Sequence, residues 1–298
     1  MTITTLLEHP DLWRAGRPGG GGASHRPAQP SRYPLLDQYL IGGGWPVGAV
    51  SELCFNQTGI GELQLLAPAL ATLSRQRRWI AWVNPPFLPY PPALAACGIQ
   101  VGRMLLIQGT SNENPAVIGA ASSRDLNLAA GSHSYGSHAH KPVDPRLKAH
   151  RRMLWALEQA SRSGACSAVL AWLDERLITV RDLQRLQVAA RQGNTLTWLF
   201  RPGEALKQPS LASLRLQLHA AQSPGMGLQR LKVDIVKRQG GWPVDGLILD
   251  LQRETTYIDR HQVMELLTFW RSEHQSVVLP DAAQAFSLPT TVQQRAMH

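Results

Sequence analysis

The 298-residue chain has no run approaching the roughly 20 consecutive apolar residues that a membrane helix needs. Its first stretch, Met1 to Arg14, also lacks the charged-then-apolar layout of a secretory signal. Both absences lead us to expect a cytoplasmic protein. Cysteine is scarce: Cys54, Cys97 and Cys166 are widely spaced and set among small or apolar neighbours, which fits buried reduced thiols better than a disulfide framework or a zinc site. Acidic side chains are also in short supply, 21 against 30 Lys plus Arg, for a formal charge of +9. An anionic partner is implied, either nucleic acid or an acidic protein, although no long basic run singles one out. No G-x-S-x-G element points to a hydrolase. His133, His138 and His140 stand without cysteine or paired carboxylates nearby, so neither a metal nor a cofactor is expected.

A hydrophobic content of 44% is enough for a real core, and the length suits one large domain with appendages or two small ones. Residues 1–32 include Gly19–Gly22 flanked by prolines and read as a flexible leader. A core is expected over 33–251, interrupted at 109–143 by a Ser-, Asn-, Gly- and His-rich insert that reads as mobile. Residues 252–298 read as a C-terminal helix and tail. Within the core, apolar strands at Ala49 to Cys54, Trp79 to Val83, Met104 to Gln108, Ala168 to Trp172 and Thr195 to Phe200 alternate with helical patterns, notably Pro145 to Ser163 and Val180 to Gln192. That alternation predicts an α/β protein with a mainly parallel sheet covered by helices on both faces. Three further extended segments, Leu214 to Ala220, Leu231 to Lys237 and Val244 to Leu251, follow without helices between them and predict an antiparallel extension.

Between the first strand and an apolar-periodic helix lies Phe55-Asn56-Gln57-Thr58-Gly59-Ile60-Gly61-Glu62-Leu63. A phosphate-binding loop in that setting reads G-x-x-x-x-G-K-[ST]: backbone amides cradle the phosphates, lysine neutralises them and the hydroxyl holds magnesium. Only Gly61 keeps its type. Asn56 takes the place of the first glycine, Glu62 that of the lysine and Leu63 that of the hydroxyl, with Thr58 and Gly59 between. Two unit charges ~4 Å apart at an effective dielectric near 20 interact by about 4 kcal/mol, so an anion in the lysine position opposes triphosphate binding strongly.

In order, these elements resemble the RecA core, and more closely the ImuA family, RecA-like partners in bacterial mutasome cassettes. The phrases that carry the resemblance are Gly43-Gly44-Trp45-Pro46-Val47-Gly48, Gly59-Ile60-Gly61-Glu62-Leu63, Arg78-Trp79-Ile80-Ala81-Trp82-Val83, Ala156-Leu157-Glu158-Gln159-Ala160 and Ser163-Gly164-Ala165-Cys166. The resemblance places Pro86 at the catalytic glutamate, Trp172 at the magnesium aspartate and Ala93 at the adenine-stacking aromatic. It therefore implies a protein that is not an enzyme. It also implies ImuB and an error-prone DnaE-type polymerase as partners, in translesion DNA synthesis within the SOS response. Arg201, Lys237 and Arg238 become candidate contacts to a neighbouring subunit or to DNA, against the plainer reading of solvated strand ends. A second family, the cell-division inhibitor SulA, shares the RecA-like scaffold without nucleotide chemistry and implies FtsZ as partner instead.

Tryptophan is abundant, at nine residues. In the tail, Val263, Leu266, Leu267 and Trp270 form one helical stripe, which either packs on the chain's own sheet or offers a helix to a partner's groove.

Overall fold

The computed structural model describes residues 27–108, 144–222, 229–251 and 259–273. The insert, most of the leader and the end of the tail lie outside the described residues. The strands are β1 (Ala28–Gln29), β2 (Trp45–Pro46), β3 (Ala49–Phe55), β4 (Trp79–Val83), β5 (Met104–Ile107), β6 (Cys166–Trp172), β7 (Leu196–Pro202), β8 (Leu214–Ala221), β9 (Gln229–Arg238) and β10 (Val244–Leu251). The helices are α1 (Pro34–Asp37), α2 (Glu62–Ser74), α3 (Pro91–Ala96), α4 (Pro145–Arg162), α5 (Val180–Gly193) and α6 (Arg260–Glu273).

Eight strands form one sheet in the order β10-β9-β8-β3-β7-β6-β4-β5. From β8 to β5 every neighbouring pair is parallel, and β9 and β10 close the other edge antiparallel. The expected mainly parallel sheet with an antiparallel extension is therefore present. Strand β3 pairs with β7 on one side and β8 on the other, which puts the loop that follows it near the middle of the sheet.

The alternation of side chains along each strand sorts the core into two layers. Leu53, Trp82, Leu170, Trp198 and Leu216 pack on one face with α2, and Leu266 and Trp270 of α6 join the same cluster. Val50, Ala81, Val169 and Leu199 pack on the other face against Met153 and Leu157 of α4 and Leu183 and Leu186 of α5. Leu65, Leu66, Ala69 and Leu70 of α2 are fully buried, and each such leucine is worth about 2 kcal/mol relative to exposure. Pro68 inside α2 removes an amide donor. The carbonyl of Gln64, four residues earlier, instead accepts from the Tyr33 hydroxyl at 3.2 Å. Burial pushes the Tyr33 hydroxyl up to about 12, so it stays a donor.

Helix α5 shows its limits in sequence. Thr179 and Asp182 form a reciprocal capping box at its start, and Asn194 turns left-handed at its end. Arg78 then donates to the carbonyls of Gly193 at 2.8 Å and Asn194 at 3.3 Å, a cation at the negative end of the helix. Gly193 lets α4 and α5 approach closely, because a Cβ there would lie 2.0 Å from the Ser161 carbonyl oxygen.

Two expectations need correction. Residues 27–32 are not a loose leader: β1 pairs antiparallel with β2, and Ser31 is completely buried. Cys54 and Cys166 are buried as expected, with thiols pushed up by burial to about 12 and about 11, but Cys97 is only half-buried.

Candidate functional site

The loop after β3 has the backbone form of an anion site. Gly59 and Gly61 both take positive φ, +80° and +109°, and turn their amides toward one spot at the start of α2. A run of inward-facing amides at a helix N-terminus attracts negative charge. Here that charge is the protein's own: the Glu62 carboxylate accepts from Gly59 N–H at 3.0 Å and from Gly61 N–H at 3.1 Å. Glu62 is the first residue of α2, where an anion also interacts favourably with the helix dipole. The sequence shows a carboxylate at this position but not the two hydrogen bonds by which it occupies the Gly59 and Gly61 amides.

The surroundings of the loop are closed as well. The Asn56 side chain accepts from Gly203 N–H at 3.1 Å, tying the loop to the end of β7. Gly61 is packed against Leu251, whose Cδ1 would lie 2.3 Å from any Cβ at that position. Thr58 is half-buried, and Leu63 packs at the margin of the main core.

Trp172, at the position matched to the magnesium aspartate, ends β6 opposite Phe200. Its ring stacks on Phe200 at 4.2 Å, with an interplanar angle of 2°, and on Trp82 at 5.8 Å. Aromatic carbon therefore fills the place where a metal-holding carboxylate was sought. Asp174, two residues further on, lies beyond β6, and its carboxylate accepts from the Arg176 amide at 3.0 Å. Pro86 is half-buried in the segment after β4, and Ala93 is exposed on α3. Among the described residues, no group of three or more His, Cys, Asp or Glu is placed to hold a metal.

The candidate contact residues separate. Arg201 was weighed as a contact to a subunit or DNA against the plainer reading of a solvated strand end, yet only 2% of its side chain is exposed. Its Nη1 donates to Glu52 at 2.6 Å, while Nε and Nη2 form a fork on Glu175 at 2.9 and 2.5 Å. Burial alone would lower the basicity of this guanidinium, but the bonds to Glu175 and the charge of Glu52 outweigh it and hold Arg201 above its usual value. Arg215 donates its Nε to the other Glu52 oxygen at 2.6 Å. Ser210 completes the set with a hydroxyl bond of 2.5 Å to Glu52. Two carboxylates and two guanidiniums thus meet inside the protein.

Lys237 and Arg238 lie at the opposite end of the sheet from the loop. Lys237 is exposed, donates to the Ser210 carbonyl at 2.7 Å, and has its pKa lowered by partial burial and by Arg215. Arg238 turns the other way, donating to the carbonyls of Trp242 and Tyr39 and lying 5.6 Å from the Tyr39 ring centre. The tail stripe is turned inward. Trp270 is 8% exposed and belongs to the main core together with Leu266, while Val263 and Leu267 are half-buried. Met264 and Phe269 occupy the outer side of α6. Sequence reasoning missed Glu52, Glu175 and Arg215. The one available signal was a glutamate and an arginine inside otherwise apolar strands.

No family model matches the chain. It is similar to the cell division inhibitor SulA of Serratia marcescens, 25% identical over 174 residues that make up 58% of this chain and 80% of the relative. SulA of Edwardsiella piscicida is 28% identical over 58% of this chain and 78% of its own length. A Yersinia pestis SulA is 25% identical over 58% and 79%. The crystal structure of SulA from Pseudomonas aeruginosa matches 51% of this chain and 98% of that one at 21% identity, with a TM-score of 0.32. These relatives carry the division-inhibitor name, not that of the ImuA family.

Proposed function

We propose that this protein is a non-catalytic component of the SOS response that works by contacting other proteins, on a phosphate-loop scaffold whose anion site it fills itself. The observation that carries the reading is the Glu62 carboxylate on the Gly59 and Gly61 amides. Phosphoryl transfer depends on positioning, on metal and on charge stabilisation. With a glutamate in the loop and a stacked tryptophan at the end of β6, this chain offers none of these where the scaffold would put them.

The similarity to SulA supports a role in restraining cell division, with the tubulin-like protein FtsZ as partner. A second reading is a place in translesion synthesis beside ImuB and a DnaE-type polymerase. It is favoured by the sequence phrases shared with the ImuA family and by the charge of +9. In either case the protein acts in the cytoplasm, and no described helix is long and apolar enough to cross a membrane.

Controlled overexpression with affinity capture from DNA-damaged cells separates the readings. Filamentous cells with FtsZ in the captured fraction support division inhibition. Capture of ImuB without filamentation supports the translesion reading, and neither outcome overturns both. Purified protein should show no ATP turnover, and turnover that Glu62→Ala abolishes would defeat the non-catalytic reading.

A further inference from the structure

The positive charge of the chain is concentrated on one layer of the fold. Helices α4 and α5 lie side by side on the sheet face opposite α2 and together carry eight Arg or Lys against two acidic residues, a surplus of six out of the chain's net nine. One of those two acids, Glu158, is nearly buried at the seam and accepts from both Arg162 and Arg185, which gathers cations from the two helices. Lys148, Arg151, Trp155 and Arg162 follow at spacings of three, four and seven, so they form one stripe along α4. Over those positions the stripe runs about 21 Å at 1.5 Å per residue. In the middle of it Trp155 is 46% exposed, although burying a ring of that size is normally favourable.

A cationic track with an exposed aromatic plane in it is the arrangement by which proteins hold unpaired nucleic acid: the cations follow the backbone and the ring stacks on a base. We propose that the outer face of α4 and α5 binds single-stranded nucleic acid, with Trp155 stacking on a base and Lys148, Arg151 and Arg162 meeting the flanking phosphates. Charge alone would suit an acidic protein equally well, and the tryptophan within the stripe decides for bases. A paired duplex is disfavoured, because its stacked bases hide the faces that a single ring must reach. The surface is separate from Arg201, Lys237 and Arg238, and it stands whichever protein partner proves correct.

The test is fluorescence anisotropy of a short labelled oligothymidylate with the full chain over a range of salt. Binding should weaken linearly in log–log form, with a slope of about −0.7 for each phosphate neutralised. Trp155→Ala should weaken binding about tenfold or more at fixed salt with little change in slope, whereas Trp155→Phe, which keeps a stacking ring, should retain most of the affinity. Arg151→Gln should reduce the slope by about 0.7. Both positions changed are on the surface, so thermal unfolding should match the parent. Absence of binding at low salt, or a Trp155→Ala variant that binds as tightly as the parent, would overturn the proposal. Equal competition by polyglutamate of matched charge would also overturn it and point to an acidic protein surface.

Discussion

Glu52 and Glu62 stand ten residues apart on one strand-loop-helix unit, and both are negative charges withdrawn from solvent, yet the fold supports them in opposite ways. Glu62, 9% exposed, begins α2 and is held by the backbone amides of its own loop. Glu52, with 0% of its side chain exposed, lies within the sheet and is held by side chains from distant segments: Arg201, Arg215 and Ser210, which are 149, 163 and 158 residues away in sequence. A charge at a helix N-terminus can be met by local backbone dipoles, because several unpaired amides and the helix dipole converge there. Within the sheet it needs full countercharges, because an unpaired ion there is very costly.

The comparison breaks most visibly at Glu52. Replacing it by glutamine leaves Arg201 and Arg215 inside the protein without their shared countercharge, and a loss of about 3–5 kcal/mol is expected in urea unfolding. Glu62→Ala should cost less, about 1–2 kcal/mol, in the range of a lost helix N-cap, since Gly59 is exposed and water can take over its amide. If Glu62→Ala proved the costlier change, the contrast between support by local amides and support by distant guanidiniums would fail. The carbonyl side of α2 offers a neutral control: Tyr33→Phe removes the donor to the Gln64 carbonyl and should cost about 1 kcal/mol by the same measurement.

His150 gives the smallest effect and a third solution. It is buried on α4 with no partner for Nε2, and burial lowers its pKa from the ordinary 6.5, with Asp174 and Asp182 pulling partly the other way. The folded protein therefore takes up this proton less readily than the unfolded chain. The stability associated with His150 is complete above pH 6.5 and is lost as pH falls from there toward the depressed folded value. His150→Gln should flatten that slope in unfolding midpoints measured across the acid range. An unchanged slope would show that the ring ionises freely in the fold.

How much of this was legible in the sequence follows from the range of the interactions. Strands β4 and β10 appear with the limits read from their apolar runs, and α5 differs by one residue. Periodicity and capping residues are local, so one sequence displays them. The position of β3 between β7 and β8 is not local, and nothing in Ala49–Phe55 announces it. The ribbon of β1 and β2 escaped because two-residue strands have no period and lay beside a glycine-rich stretch. At the candidate site the departure at Glu62 was plain, because a motif says what should stand there. The direction its side chain takes was not, since that depends on two glycine torsions. Arg201 misled for a related reason: an arginine at a strand end reads as exposed until Glu52 and Glu175 are seen beside it.

The bond between Glu62 and its own loop has one more consequence. A ligand attached by covalent bonds to its receptor competes at an effective concentration that dissolved molecules rarely reach. Cellular nucleotide, however plentiful, meets a seat whose occupant cannot diffuse away, so the protein's conformation should be indifferent to the energy charge of the cell.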